Sequence, residues 1–315
     1  MGTLIARRLL ALVPLLVLVS FFVFILIALV PGDASVTLAG GENATPERIA
    51  EVREELHLDE SIFQQYGRWL GGAVQGDLGD SLFARTAVTS DIAERLPITL
   101  GLAGAALFVG LLVGVPLGVL SAMRPAGAID KLSRFGTTLG ISIPGYWLAI
   151  ILVVLFAVDL RLLPPSGYVP FFENPLRWLE HIALPAIALG TWSAASLSRQ
   201  LRAALIDVLD TNYVRSAWAK GGSTRLIVVK HALKNAAIPV VTILALQTGY
   251  LIGSTVIVEE IFTIPGMGPY FLRAVVSFDV PVIQGVVLIF VLAALILSTL
   301  ADITYGFLNP KVRVS

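Results

Sequence analysis

Long apolar stretches separated by shorter polar ones set the pattern of this chain. Six runs, at 9–30, 98–123, 135–158, 182–198, 236–258 and 282–301, contain no Asp, Glu, Lys, Arg or His. About 20 apolar residues cross a bilayer's hydrocarbon core as a helix, so each run predicts a spanning helix, with the fourth at the short end. Buried core helices of a soluble protein are the competing reading, and six uncharged runs in one chain argue against it. The first run follows Arg7-Arg8. A secretory leader would carry a shorter apolar core, roughly 7–15 residues closed by a small-residue cleavage site, so 9–30 is expected to be the first span.

Pro31-Gly32 ends that run, and residues 31–97 form the longest polar interval. Within it, Thr45 can cap a helix that has Pro46 at its first position, with Ile49, Val52 and Leu56 on one face. A second amphipathic helix is predicted after Asp59, with Phe63, Tyr66, Trp69 and Leu70 as its apolar stripe, ended by Gly76-Asp77-Leu78-Gly79. Two such helices bury too little to stand alone, so this insertion is expected to rest on the membrane domain.

Composition supports a membrane protein: 56% of residues are hydrophobic and 14% charged, with a mean hydropathy of +0.85. The absence of cysteine excludes disulfides and thiolate metal sites. A formal net charge of zero conceals a sorting of charges by location. With the amino terminus inside, segments 1–8, 124–134, 199–235 and 302–315 carry 14 of the 22 Lys/Arg and 4 of the 22 Asp/Glu. Excess Lys/Arg in short loops marks the cytoplasmic side, which predicts both termini inside and 31–97 outside.

Inside the spans, Gly110, Gly114 and Gly118 recur every four residues, the spacing of close helix packing. Ser142, Pro144, Gly145, Tyr146 and Trp147 interrupt the third run, and Thr242, Gln247, Thr248 and Tyr250 place polar groups in the fifth. A buried amide such as Gln247 must face either another helix or a wet cavity.

The least membrane-like segment of the carboxy-terminal half is 207–239, DVLDTNYVRSAWAKGGSTRLIVVKHALKNAAIP. Asp210, Thr211 and Asn212 can cap a helix, Gly221-Gly222 can stop it, and Ser223 or Thr224 can cap a second one running through Arg225, Lys230 and Lys234 toward Pro239. Positive-inside retention accounts for its basic residues. It leaves the helix–glycine–helix shape unexplained, and the interleaved Tyr213, Val214, Trp218 and Leu226 suit a protein groove better than lipid headgroups or nucleic acid.

YVRSAWAKGGSTRLIVVKHALKNAAIP resembles the EAA loop of ABC-importer permease subunits, in the form typical of the dipeptide/oligopeptide (peptide/nickel) family. RRLL, PGDA, REELHLD, GDLGDS, SIPGYW, LPPSGY, VEEIFTIPGMG and the terminal NPKVR follow in the order expected of that family, over nearly the whole chain. Departures are modest. Asn212 stands where Asp is usual, Trp218 where Arg is common, Gly222 where an apolar residue is common, and Asn309 where Asp is usual.

The resemblance implies an all-α integral membrane protein of six transmembrane helices in the type I ABC-importer permease arrangement. Residues 1–30 hold the first span, 31–97 a small helical extracytoplasmic insertion, and 98–315 a core of five helices containing the loop 207–239. It implies no catalytic residue and no cofactor or metal on this chain; ATP and Mg would be bound by two cytoplasmic ABC ATPase subunits. A second homologous permease subunit and an extracytoplasmic substrate-binding protein are the other implied partners, with the bilayer of a bacterial or archaeal cell membrane around them and no nucleic acid. Coupling to the ATPases would fall to Tyr213, Val214, Arg215, Ser216, Ala217, Lys220, Gly221, Gly222 and Ser223, and the translocation pathway would include Tyr146, Thr242, Gln247, Thr248 and Tyr250. Di- or oligopeptides are the implied cargo, with glutathione or nickel chelates as alternatives. A secondary transporter is the rival from another class, and the lack of an ionisable residue in any of the six runs argues against it.

Overall fold

A computed structural model describes residues 2–29, 34–39, 44–55 and 59–308. They are almost wholly helical, and the only extended pairing among them is a single bridge between Asp80 and Ala87. In chain order the helices are α1 (Gly2–Leu29), α2 (Ala34–Ala39), α3 (Pro46–Glu55), α4 (Ile62–Val74), α5 (Val88–Met123), α6 (Ala128–Ser142) and α7 (Gly145–Leu152). There follow α8 (Pro175–Leu209), α9 (Asn212–Ala219), α10 (Thr224–Leu226), α11 (Leu233–Ile261), α12 (Met267–Ser277) and α13 (Val280–Leu308). The described residues of each apolar run lie in one of these helices or, for 135–158, across a pair of helical pieces. Helices Val88–Met123 and Val280–Leu300 are long and apolar enough to cross a membrane among the described residues.

The run 135–158, expected as one span, is two helices. Ala128–Ser142 and Gly145–Asp159 meet at 101°. Pro144 is the cause: it has no N–H to continue α6, and it holds Ile143 in extended backbone (ψ 122°). Beyond Leu152 the helix widens to π-type turns over Val153–Asp159.

The chain divides into two compact units. One comprises 2–99 and 265–293, the other 100–264 and the residues from 294 on. In the first unit, the predicted caps of the polar insertion are present. The Thr45 hydroxyl accepts from Arg48 N at 3.3 Å, Pro46 opens α3, and Ser61 with Gln64 forms a capping box at the start of α4. Pro31, Gly32 and Leu56 lie outside the described residues. The insertion rests on the first apolar helix, as expected. Tyr66 is buried there, its ring edge-on to Phe21 and Phe24, its hydroxyl within 2.9 Å of Ser20 Oγ and donating to Val17 O at 3.0 Å. Gly76 and Gly79 end that layer with φ near +85°. The following turn is tied down by buried Asp279, which accepts from Ser81 Oγ (2.6 Å) and Leu82 N (3.2 Å).

In the second unit, α5, α6 and α11 pack around α8. Asn174 caps α8 by accepting from Arg177 N at 3.0 Å, and Pro175 fills its first position. The glycine ladder of α5 acts as its spacing predicts. A Cβ at Gly110 would lie 2.6 Å from Ser193 Oγ, one at Gly114 2.6 Å from Ala194 O, and one at Gly118 2.9 Å from Ser198 O. Gly190 of α8 answers from the other side, 2.6 Å from Ala106 O by the same measure. Without a hydrophobic effect between helices in lipid, this backbone-to-backbone approach supplies the dispersion contact that holds them. Gly114→Ala is therefore expected to cost about 1–3 kcal/mol in unfolding of the detergent-solubilised chain. Gly104→Ala, where nothing lies within 4 Å, should be near neutral.

Candidate functional site

The segment between α8 and α11 folds as two helical pieces around a glycine turn. Thr211 is the residue before α9, but its hydroxyl donates back to Val208 O at 2.5 Å instead of capping, and Asp210 is held by Arg215 Nη2 at 2.6 Å. Helix α9 stops in a Schellman turn: Gly222 N donates to Ala217 O (3.2 Å), Gly221 N to Trp218 O (2.9 Å), and Gly221 takes φ +78°. A Cβ on Gly221 would meet nothing within 4 Å, whereas one on Gly222 would lie 3.0 Å from Ile227 Cδ1 and 3.1 Å from Ala217 O. Gly221 is thus needed for backbone conformation, and Gly222 for close packing.

Ser223 caps the next piece through Leu226 N at 3.4 Å, as predicted. That piece does not stop. Helix α10 runs through π-type turns at Ile227–Ala232 directly into α11, so the loop's second helix and the fifth apolar run are one continuous rod. The wide turns leave the His231 carbonyl open to side chains. It accepts from Tyr213 Oη and Asn235 Nδ2, each at 3.3 Å, while Asn235 Nδ2 also donates to Tyr213 Oη at 2.6 Å. Tyr213 therefore pins α9 to the foot of α11.

The nine loop residues fall into two groups. Val214 is fully buried and Ala217, one turn on, is half-buried, so these two hold α9 to its own chain. This corrects the expectation that Val214 is offered to a groove. Tyr213, Arg215, Ser216, Lys220, Gly221 and Ser223 are exposed, together with Trp218, and Gly222 is half-buried. The Ser216 hydroxyl donates back to Asn212 O at 2.9 Å, so its proton is engaged within its own helix. The outward face is thus built from Arg215, Trp218, Lys220 and Gly221.

Beneath the loop lies an apolar core of Ala122, Leu197, Leu201, Leu205, Ala232, Ala236 and Val240, drawn from α5, α8, the wide turns and α11. Beside it is a buried ion pair that sequence reasoning missed. Asp130, in the first turn of α6 ahead of its apolar run, is fully buried; Arg202 of α8 donates to both of its oxygens at 2.6 and 2.8 Å. Ser121 Oγ of α5 donates to it as well, and Ala126 N does so at 2.9 Å. The last bond secures a turn in which Ala126 holds φ +62°. Hydrogen bonds from Arg202 above all, then from Ser121, hold the Asp130 carboxyl well below the usual carboxylate range despite its burial. No local pattern announces two residues 72 apart; the one available signal was Asp130 as the single acidic residue of the otherwise basic segment 124–134.

The fifth-run polar residues divide likewise. Gln247 faces a neighbouring helix: it is buried, and Ser193 Oγ of α8 donates to its Oε1 at 2.6 Å. Thr248 donates to Leu244 O of its own helix at 2.6 Å, and the side chain of Thr242 lies outside the described residues. Tyr146 and Tyr250, by contrast, are half-exposed and line a common cleft of about 310 Å³ at the α6–α7 break. Ser142, Trp192 and Ser254 also line it, and the Trp192 and Tyr250 ring centroids lie 4.2 Å apart. The cleft offers aromatic faces and hydroxyls and no carboxylate, imidazole, amine or guanidinium, a lining that can hold an uncharged or polar ligand.

Residues 114–314 match the family described as "Binding-protein-dependent transport system inner membrane component", and residues 1–103 match its N-terminal counterpart. The chain belongs to this family. It is a multi-pass inner-membrane permease subunit. The permease is 37% identical over 313 residues to a putative peptide transport system permease protein of Brucella abortus (strain 2308), covering 99% of each chain. It is also 37% identical over 307 residues to the glutathione transport system permease protein of Escherichia coli (strain K12), covering 98% of this chain and 97% of that one. Over 70% of this chain its fold is similar to 96% of a chain in an inward-facing structure of the MetNI methionine ABC transporter, with a TM-score of 0.56 at 18% identity.

Asp130→Asn should destabilise the permease by roughly 2–3 kcal/mol, less than the ~3–5 kcal/mol of a fully buried pair, because a quarter of the Arg202 side chain reaches solvent. A carboxyl whose folded pKa is depressed stabilises above its unfolded value and loses that contribution as pH falls through the folded value. Thermal unfolding in detergent should therefore show a constant deficit for the variant from pH 8 to pH 5, narrowing only below about pH 4.

Proposed function

We propose that this permease is one half of the transmembrane pathway of an ATP-driven importer for di- or oligopeptides, working beside a second, homologous permease. Six spans with both termini in the cytoplasm place 207–239 inside and 31–97 outside. The charge sorting along the chain supports this arrangement. Two cytoplasmic ATPase subunits bind ATP and Mg, and grip the outward face of α9. Closure on nucleotide and opening after hydrolysis move that helix, and the rod α10–α11 carries the movement into the spans. The observation that carries this reading is the Schellman turn at Gly221: it sets a short, rigidly footed helix whose free face has room for a partner to approach the backbone.

Peptide cargo is supported by the relatives' names and by the cleft at Tyr146, Trp192 and Tyr250, whose uncharged aromatic and hydroxyl lining suits varied side chains and a polar backbone. Glutathione, itself a tripeptide, is the second reading, favoured by the Escherichia coli relative at equal identity.

Two substitutions at Gly221 separate backbone conformation from docking. Asn and, less readily, Asp tolerate the left-handed region and should each cost about 1 kcal/mol of stability or less, where other side chains cost on the order of 1–2 kcal/mol. Both Gly221→Asn and Gly221→Asp are expected to insert in the membrane yet uncouple uptake of a labelled dipeptide from ATP hydrolysis in proteoliposomes holding the whole transporter. Undiminished uptake by Gly221→Asp refutes the docking role.

The outer insertion, with its excess of acidic residues, is the proposed landing face for the substrate-binding protein. Deletion of 42–75 should abolish binding-protein-dependent uptake and leave basal ATP hydrolysis intact; normal uptake would remove that role.

A further inference from the structure

Helix α6 is amphipathic in the reverse of the usual sense. Its buried residues are Asp130, Ser133, Thr137 and Gly140, one small or polar side chain per turn facing α8. Its exposed residues include Leu132 (73% exposed), Phe135 (64%) and Leu139, with Lys131 and Arg134 at the amino-terminal end of the same surface. Lys131, Arg134, Phe135 and Thr138 line an open cleft of about 410 Å³.

The charges on this surface are of one sign. Asp130, the acidic residue of the helix, is turned inward and engaged by Arg202, so it does not neutralise its neighbours. Arg124, in the turn before α6, is also exposed. Lys131 and Arg134 stand one turn apart, and Leu139 lies about 12 Å along the axis from Lys131 and about 7.5 Å from Arg134, at about 1.5 Å per residue. Two cations followed along the helix by an exposed aromatic and aliphatic stripe match the profile of a phospholipid, headgroup first and acyl chain after. Subunit interfaces are depleted in lysine although enriched in arginine and aromatics, so Lys131 is the residue of this face that favours lipid over a protein partner.

We propose that this face of α6 binds an anionic phospholipid, its phosphate between Lys131 and Arg134 and an acyl chain along Phe135 and Leu139. The orientation proposed above assigns the lipid to the cytoplasmic leaflet, where anionic headgroups attract basic side chains. Binding itself does not depend on that orientation, on ATPase partners or on cargo.

The test uses the full-length chain in detergent, titrated with dioleoyl-phosphatidylglycerol, dioleoyl-phosphatidylcholine or inorganic phosphate, with bound lipid counted by native mass spectrometry. Phosphatidylglycerol should bind at least tenfold more tightly than phosphatidylcholine. Replacing both cations (Lys131→Gln with Arg134→Gln) should weaken it about thirtyfold, with phosphatidylcholine unaffected and the melting temperature of the lipid-free protein unchanged. In a separate Phe135→Trp variant, phosphatidylglycerol brominated on its acyl chains should quench the added fluorescence. Equal binding of the two lipids, unchanged binding by the double variant, or displacement by inorganic phosphate as effectively as by lipid would each overturn the proposal. So would efficient cross-linking of a Phe135→Cys variant to a second permease chain in the assembled transporter, which would assign the face to a subunit interface. Uptake plays no part in any of these readings, so failure here and failure of the transport proposal are separately visible.

Discussion

A fully buried carboxylate organises the end of the helical core beside the α9 loop. Asp130 takes donors from Ser121 of α5, Ala126 of the following turn and Arg202 of α8, so three successive parts of the chain meet at its two oxygens. Removing a charge from water costs several kcal/mol, and only a complete set of donors offsets it. Each donor constrains geometry in turn. The guanidinium fork fixes the rotation of α8 against α6, and the Ala126 bond holds a turn whose positive φ disfavours alanine. Because the apolar core at Ala122, Leu197 and Leu201 adjoins the pair, a displacement of the carboxy-terminal end of α8 would have to carry α6 with it or break the pair.

Away from that end, shape replaces charge. Gly110, Gly114, Gly118 and Gly190 bring the α5 and α8 backbones together without intervening side chains. Gln247 joins α11 to the same seam through Ser193, the residue that meets Gly110. That single bond, made to the amide oxygen while Gln247 Nε2 has no partner among the described residues, contributes roughly 1 kcal/mol in such settings and fixes register as well. The outcome is a bundle rigid along the α5–α8–α11 seam. Its deformable place is the α6–α7 break, where proline has removed a backbone bond. Irregular backbone at membrane depth persists only against protein or a wet cavity, and here it borders the cleft that holds Tyr146 and Tyr250.

Local chemistry was legible from residue types. Thr45 and Pro46, Ser223, the glycine turn at 221 and the ladder at Gly110, Gly114 and Gly118 each act over a few residues, and the structure shows each where its spacing put it. Non-local geometry was not. The 101° bend follows from Pro144, but proline in a membrane helix is also compatible with a mild kink, so its angle is set by packing and not by the residue alone. Pairing of Asp130 with Arg202 depends on helix placement, and burial of Val214 depends on α9 lying against the wide turns at Ile227–Ala232. The reversed amphipathy of α6 is hidden for a further reason: hydropathy counts apolar residues without saying whether they face protein or lipid.

That last ambiguity bears on how the loop can act. A helix attached by flexible chain would dissipate any push from a partner. Here α9 is footed three ways: by Val214 in the interior, by Tyr213 on the His231 carbonyl and Asn235, and by the Arg215–Asp210 pair at the end of α8. The exposed pair is worth a few tenths of a kcal/mol; burial of Val214 and the hydrogen bonds to the π-type turns supply most of the attachment. Since those turns continue without a break into α11, force applied at Gly221 has a stiff route to Gln247 and the cleft at Tyr250. π-type turns inside helices are found frequently at functional sites, and here they form the joint through which α9 is attached to the rod.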